Sequence, residues 1–275
     1  MVTYAAMLNV PRHVVEYLAR LLAAHRRTLG TPKGSRALGV FRQAVLLLRW
    51  FLDATRVDQL ARDAGISLAT AYRYLHEGID VLAAQAPDLR KVLDQARKDG
   101  LSHVIIDGSL VHTDRIKAKA VSVKGQDIDL WYSKKHACHG GNVQFLATPN
   151  GFPLWTSQVR PGSVPDIEAA RDLVFPALYP AARGGVAALA DKGYQGAGIG
   201  VLTPVKERGD GIVLDTDNRA YNHLLTRLRA LGERAMAILK TRWKALRHVT
   251  LDPNRIGDIT RAALVLTHLE HGRTH

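Results

Sequence analysis

The 275-residue chain lacks the features that mark several common classes of protein. It has a single cysteine, so no disulfide framework can form and a reducing, intracellular compartment is favoured. An apolar run such as Ala44 to Leu48 is far shorter than the roughly 18 to 20 residues of a membrane span. Residues 1–20 also lack the basic start and apolar stretch of a signal peptide. We therefore expect a cytoplasmic protein with no membrane partner.

Acidic residues are scarce relative to basic ones. The chain has 38 Lys and Arg against 25 Asp and Glu, a formal charge of +13, in an otherwise ordinary globular composition. Residues 1–99 contain 15 basic and 9 acidic side chains, residues 100–220 contain 13 and 12, and residues 221–275 contain 10 and 4. Basic N-terminal and C-terminal parts thus flank a nearly neutral middle. Such a distribution favours a nucleic acid as the partner and association with the nucleoid.

Residues 56–75 have the pattern of a helix-turn-helix. Ala61 is small where two helices must cross closely, Gly65 suits the turn, and Ser67 can cap the second helix. The candidate DNA-binding residues on that second helix are Thr70, Tyr72 and Arg73. A plain three-helix bundle whose turn contains a glycine is the alternative interpretation.

Two apolar runs in the neutral middle lead directly to an aspartate. Residues 104–106 precede Asp107, and residues 186–190 precede Asp191. Each run predicts a buried strand that delivers its acid to the strand end or into a cleft. Two such carboxylates are costly to bury, and a divalent cation is the usual compensation where they converge. Two turn-initiating aspartates are the alternative.

A third acid stands in a stretch with helical periodicity, residues 222–246. Arg229, Glu233 and Lys240 are four and seven residues apart, which predicts one stripe along a single helix. The stripe is either a surface salt-bridge ladder or a metal ligand flanked by two residues that hold DNA phosphates.

The ordered set Asp107, Asp191 and Glu233 resembles the DDE transposases of bacterial insertion sequences, close to the Harbinger-like DDE endonucleases. Other matching segments are Ala190-Asp191-Lys192-Gly193-Tyr194, Lys134-Lys135-His136, Asn142-Val143-Gln144, residues 160–166 and a closing helix over 259–269. The resemblance implies an α/β chain with a ribonuclease H-like mixed sheet and helices on both faces, preceded by an all-α helix-turn-helix domain. We expect the DNA-binding domain over 1–99 and the catalytic domain over 100–275.

The resemblance also implies a mechanism. Asp107, Asp191 and Glu233 would be catalytic and would bind two Mg²⁺ ions, for which Mn²⁺ substitutes. The enzyme would hydrolyse DNA at the terminal inverted repeats of its element and then join the freed 3′ ends to target DNA. Further DNA-binding residues would be Lys134, Lys135, Arg229 and Lys240. Because two ends are cut in one reaction, we expect a homodimer or higher oligomer on double-stranded DNA.

Two alternatives stay open at this point. The chain could be a catalytically inactive, transposase-derived DNA-binding regulator, since the N-terminal half alone would support that function. Asp166 competes for the role of catalytic carboxylate, but it fits the first turn of a helix, where an acid meets the helix dipole favourably. We therefore interpret Asp166 as structural. The interval between Asp191 and Glu233 is too short for the large insertion domain of some relatives.

Overall fold

The computed structural model describes residues 7–121, 125–207 and 213–273. The chain divides into two compact units. The first contains the residues up to Ala86 together with Arg242–Leu246 and the segment from Asp258 onward, and the second contains Pro87–Thr241 and Arg247–Gly257. The predicted ranges 1–99 and 100–275 differ from this division because residues 87–99 belong to the second unit and the C-terminal segment to the first. No helix in the described residues is long and apolar enough to cross a membrane.

The first unit is helical. Its helices are α1 (Arg12–Thr28), α2 (Val40–Asp53), α3 (Val57–Ala64), α4 (Leu68–Ala83) and most of α10 (Ile256–Glu270). Leu18, Leu47 and Leu75 are fully buried, as expected where amphipathic helices turn their apolar faces to one core. That burial holds the unit together.

The connection between α3 and α4 has the predicted local geometry. Gly65 takes the left-handed conformation with φ 67°, where glycine avoids the steric cost of a side chain. The Ser67 Oγ accepts a hydrogen bond from the Thr70 backbone N–H at 3.2 Å and so caps α4. Tyr72 and Arg73 are exposed on α4. The glycine turn and the serine cap are therefore confirmed, while the helix-turn-helix function stays a prediction.

The second unit is built around a mixed seven-stranded sheet flanked by helices. Its strands are β1 (His103–Thr113), β4 (Tyr132–Ser133), β5 (Cys138–Ala147), β6 (Pro153–Pro161), β7 (Ala187–Leu189), β8 (Val201–Leu202) and β9 (His248–Val249), and a separate hairpin pairs β2 (Lys119–Val121) with β3 (Asp127–Asp129). Its helices are α5 (Leu89–Lys98), α6 (Asp166–Leu173), α7 (Phe175–Arg183), α8 (Thr216–Ala230) and nearly all of α9 (Glu233–Arg242). This architecture confirms the predicted α/β class with a mixed sheet.

Strand β1 is the centre of the sheet. It pairs antiparallel with β5 along most of its length and parallel with β7 over His103–Ile105. Its even-numbered residues Val104 and Ile106 join the apolar core formed with α5, α6 and α7. Because side chains alternate across a strand, its odd-numbered residues face the other side. There the Cβ of an alanine at position 232 would lie 2.5 Å from Ile105 Cγ2, so the junction between α8 and α9 packs closely on β1.

The predicted single helix over 222–246 is wrong. The chain forms α8 and α9 with a break at Leu231 and Gly232, where the Gly232 N–H donates to the Arg229 carbonyl and the Arg234 N–H to the Leu231 carbonyl. A glycine is a poor residue for a helix interior, and its lack of a side chain allows the close contact with β1. Arg229 and Glu233 therefore lie on two different helices.

Candidate active site

The sheet opens at the centre of β1. Strand β7 pairs with β1 only as far as Ile105, and β9 pairs with it only at His112 and Thr113. Between these contacts, this edge of β1 has no strand partner among the described residues. The gap lies just beyond the carboxyl end of a parallel strand pair, where α/β proteins commonly place their sites.

Asp107 lies in this gap, within β1 and not at its end. Its Oδ1 accepts a hydrogen bond from the Gly108 N–H at 2.8 Å, and its Oδ2 lies 3.2 Å from Arg229 Nη1. Burial and the negative charge of Asp191 raise the pKa of Asp107 to about 6, against the opposing effects of Gly108 and Arg229. Asp107 is thus an acid whose charge its own surroundings do not fully compensate.

Asp191 follows β7 by two residues and begins a 3₁₀ turn, Lys192–Tyr194. Its Oδ1 accepts a hydrogen bond from the Gly193 N–H at 2.7 Å, which fixes the carboxylate at the strand end. The structure therefore brings the two predicted aspartates into electrostatic contact, as the apolar runs before them suggested.

Two cations from the α8–α9 side approach the same part of β1. Arg229 pairs with Asp107, and the Lys240 ammonium donates to Ser109 Oγ and to the Leu110 carbonyl, both at 2.9 Å. Burial lowers the pKa of Lys240. Arg229 thus contacts one of the acids, whereas Lys240 contacts β1 two and three residues beyond Asp107.

Glu233 differs from the two aspartates. It is exposed at the first residue of α9, and its side chain makes no hydrogen bond or ion pair with any residue in the described ranges. Across those ranges, no group of three or more His, Cys, Asp and Glu side chains is arranged to hold a metal ion. The structure therefore brings Asp107 and Asp191 near each other, while the third predicted carboxylate, Glu233, does not contact them.

A cavity of about 780 Å³ lies beside Asp191. Lys134, Lys135 and Asp166 line it, and the Lys135 ammonium lies 2.9 Å from Asp166 Oδ2. Burial lowers the pKa of Lys135, but the hydrogen bond to Asp166 and the charges of Asp166, Asp191 and Asp107 more than offset that effect and raise it. The two predicted DNA-binding lysines therefore lie at a cavity next to the acids.

Asp166 makes contacts that its position at the start of a helix does not indicate. It is the first residue of α6, as expected, but its Oδ1 also accepts a hydrogen bond from Asn142 Nδ2 at 2.8 Å. A Cβ at Gly108 would lie only 2.2 Å from that oxygen. The Gly after Asp107 and the Asn142-Val143-Gln144 strand were visible signals, yet only the register of β1 with β5 shows that they meet.

The predicted residues of α4 lie in the first unit. Arg73 Nη2 donates to Thr70 Oγ1 at 3.0 Å, and the Tyr72 ring stacks on His76 at 6.4 Å between centroids. These contacts leave Tyr72 and Arg73 on the exposed side of the helix.

Comparison with known families decides the assignment of the chain. The family model of a DDE superfamily endonuclease matches residues 106–268, a span that begins next to Asp107 and includes Asp191 and Glu233. The chain belongs to the DDE superfamily endonucleases. No curated protein and no solved structure matches it. The predicted DDE family is thereby confirmed, with DNA as the substrate that such an endonuclease implies.

DDE endonucleases generally use divalent metal ions, and the donor set of this endonuclease fits such an ion. Asp107 and Asp191 offer hard carboxylate oxygens, which Mg²⁺ prefers. Their mutual repulsion, visible in the raised pKa of Asp107, is what a divalent cation would relieve.

Proposed function

We propose that this endonuclease is a DNA transposase of a bacterial insertion sequence, of the Harbinger-like group, that cuts and joins DNA at terminal repeats. The observation that carries the proposal is the convergence of Asp107 and Asp191 where β1 and β7 separate. Two partly buried carboxylates that repel each other are a cost to folding, and this cost is understandable if the working site contains a cation.

Asp107, Asp191 and Glu233 would hold two Mg²⁺ ions, and Mn²⁺ would substitute. When bound, the ions supply activation of the attacking water or 3′-hydroxyl and stabilisation of the leaving oxygen. Each aspartate keeps one oxygen on a backbone N–H, and the ion would take the other oxygen, which in Asp107 means replacing Arg229 as the partner of Oδ2. Glu233 would join by rotation of the first turn of α9 at Gly232, and Arg229 and Lys240 would bind flanking phosphates.

The DNA would be recognised by the N-terminal helices. We assign residues 1–99 as a helix-turn-helix domain and 100–275 as a ribonuclease H-like catalytic domain. The Gly65 turn, the Ser67 cap and the excess of basic over acidic residues in 1–99 support this assignment. Thr70, Tyr72 and Arg73 on α4 would contact the major groove. A homodimer or larger assembly would bring the two ends of the element together.

The direct test incubates the full chain with Mg²⁺ and the DNA that borders its own gene, and maps nicks on each strand. Asp191→Asn should reduce cleavage at least about 1,000-fold, because it removes the charge that holds the cation, while DNA binding in a gel-shift assay is kept. Asp172→Asn is the matched control, since Asp172 is exposed on α6 and pairs with Arg160. Undiminished cleavage by the Asp191 variant would refute the assignment.

A second candidate is the inactive DNA-binding regulator. The exposed position of Glu233, away from contacts with other described residues, favours it. Sequence-specific binding of the bordering DNA, with no nick on either strand in Mg²⁺ or Mn²⁺, would select the regulator. Transfer of cut ends to a second duplex would select the transposase over another nuclease of the same fold.

A further inference from the structure

A chain of hydrogen bonds crosses the sheet of the second unit, from the Asp191 loop to the cavity. The Tyr194 hydroxyl donates to Gln144 Oε1 at 2.6 Å, Gln144 Nε2 donates to Asn142 Oδ1 at 3.0 Å, and Asn142 Nδ2 donates to Asp166 Oδ1 at 2.8 Å. Asp166 Oδ2 then accepts from the Lys135 ammonium. Four side chains in series therefore connect the loop that carries Asp191 with Lys135.

The direction of every bond in this chain follows from the charge at its end. An ionised Asp166 can only accept, so Asn142 must present its amide nitrogen to it. The Asn142 oxygen then faces Gln144 and accepts from its amide nitrogen, and the Gln144 oxygen is left for the Tyr194 hydroxyl. Both amides and the phenol are thereby held in one orientation.

The fold alone does not explain these polar residues. Gln144 and Tyr194 are fully buried and Asn142 nearly so, and apolar side chains would fill the same sheet positions at lower desolvation cost. Asp166 would also meet the dipole of α6 without Asn142. The absence of a side chain at Gly108 makes the room that the Asp166 carboxylate occupies. Several residues are thus adapted to hold one carboxylate in one place.

What that carboxylate holds is Lys135. The Lys135 side chain is 59% exposed on the connection between β4 and β5, where a long, flexible lysine would otherwise occupy many rotamers. One ammonium N–H binds Asp166, and among the residues that the structure describes the other two have no acceptor, so they can bind a further partner. The ammonium faces the cavity that Asp191 lines, within the field of all three aspartates.

We propose that Asp166 is a positioning residue that holds the Lys135 ammonium at the cavity, where Lys135 binds a backbone phosphate of the DNA strand entering the site. The proposal rests on the proposed function, because it takes DNA as the substrate of this site. Fixing the lysine in advance removes the entropy cost of ordering it when the phosphate arrives. The hydrogen-bonded chain from Tyr194 fixes the position of Asp166, and through Asp166 that of Lys135, relative to the loop that carries Asp191.

A double-mutant cycle on the full chain tests the proposal. Its readout is the dissociation constant of a fluorescently labelled random-sequence duplex, measured by anisotropy in EDTA over a series of salt concentrations. Lys135→Ala should weaken binding about tenfold and lower the salt slope by about 1. Asp166→Asn should weaken binding by about fivefold, and the double variant should bind no more weakly than Lys135→Ala alone.

Whether Asp166→Asn weakens or tightens DNA binding distinguishes a positioning role of Asp166 from a purely electrostatic one. If Asp166 acted only through its negative charge near DNA, Asp166→Asn would tighten binding. Tighter binding, or a double variant whose loss is the product of the two single losses, would overturn the proposal. Asp166→Ala is a second variant in which Asn142 Nδ2 keeps its bond to the Val164 carbonyl at 3.1 Å, and a melting curve of each variant excludes unfolding as the cause.

Two controls keep this test apart from that of the cleavage reaction. Arg171→Ala removes an exposed cation of α6 that pairs with Glu168, and Asp172→Asn removes an acid from the same helix as Asp166. Both should change DNA affinity less than threefold. If the effects of the Asp166 and Lys135 substitutions on DNA binding are independent while Mg²⁺-dependent cleavage is normal, only the positioning role is rejected. Coupling that persists in a protein that cleaves no DNA would reject the proposed activity alone.

Discussion

Both units contain a network of buried polar side chains, and the two networks differ in how they end. In the first unit, Arg26 donates to the Leu38 carbonyl at 3.0 Å and to Gln43 Oε1 at 2.6 Å. Gln43 Nε2 donates to Glu77 Oε2 at 2.9 Å, and Arg36 donates to Glu77 Oε1 at 3.0 Å. The Glu77 side chain is only 11% exposed, and both of its oxygens accept hydrogen bonds from side chains of the same unit, so the network ends inside the unit and is closed.

The network of the second unit is open. It begins at the buried Tyr194 hydroxyl and ends at the exposed Lys135 ammonium. Of the two nearby acids, Asp107 pairs with Arg229, and Asp191 forms no ion pair with any residue that the structure describes. A closed network stabilises a fold, since the carboxylate at its end is hydrogen-bonded within the unit. An open network with excess negative charge costs stability and is understandable where ligands complete it.

The largest expected effect concerns the uncompensated charge of Asp107. Its folded pKa of about 6 lies above the value of 3.8 that an unperturbed Asp has, so between these pH values the folded chain holds a proton that the unfolded chain has released. Stability therefore falls as pH rises from about 4 to about 6 and stays lower above that. In EDTA, Asp107→Asn removes this pH-dependent loss of stability, because asparagine does not ionise. Its gain in unfolding free energy over the parent should be about 2 to 2.5 kcal/mol larger at pH 7 than at pH 4.

Urea denaturation at the two pH values measures this difference, because effects of the substitution that do not depend on pH cancel. Asp172→Asn is again the control and should show the same difference from the parent at both values. If the Asp107 variant gains the same unfolding free energy at pH 4 and pH 7, the negative charge of Asp107 is compensated in the folded protein. The contrast between the two units would then disappear.

A smaller effect is expected from breaking the closed network. Glu77→Ala leaves Arg36 and Gln43 without their shared partner in a mostly buried place, and should lower the unfolding free energy by about 2 kcal/mol. The exposed pair of Arg56 with Asp58 provides the control, since Asp58→Ala should cost less than about 1 kcal/mol. The cleavage rate at saturating DNA should be unchanged in both variants. A loss of that rate in the Glu77 variant would show that the network does more than stabilise the unit.

The sequence predicted the parts of this site that depend on local pattern. The apolar residues before Asp107 and Asp191 predicted buried strands leading to two acids, and the structure joins them. Gly65 and Ser67 predicted a turn and a cap because the physical requirements at both positions act over a few residues. Such requirements are visible without knowledge of the remainder of the fold.

The parts that the sequence did not predict depend on packing between residues far apart in the chain. Gly108 lies opposite Gln144 only through the antiparallel register of β1 with β5, and Tyr194 reaches Gln144 across 50 positions of sequence. Helical periodicity also continued through Gly232, although close packing on Ile105 ends α8 before it. Asp166 was interpreted from its helix position alone, since its second set of contacts comes from strand β5.

The smallest expected effect comes from removing one hydroxyl from each network. Tyr74 is the counterpart of Tyr194: it is almost fully buried, and its hydroxyl accepts a hydrogen bond from the Leu38 N–H at 3.2 Å. Tyr74→Phe and Tyr194→Phe should each lower the unfolding free energy by about 1 kcal/mol, because each leaves one buried polar group unpaired. Only Tyr194→Phe should also weaken DNA binding, by about twofold to threefold, since it loosens the chain that orients Asp166. Anisotropy measurements compare the DNA affinities of the two variants, which are expected to have about the same stability. Equal affinities would show that the open network, like the closed one, only stabilises the fold.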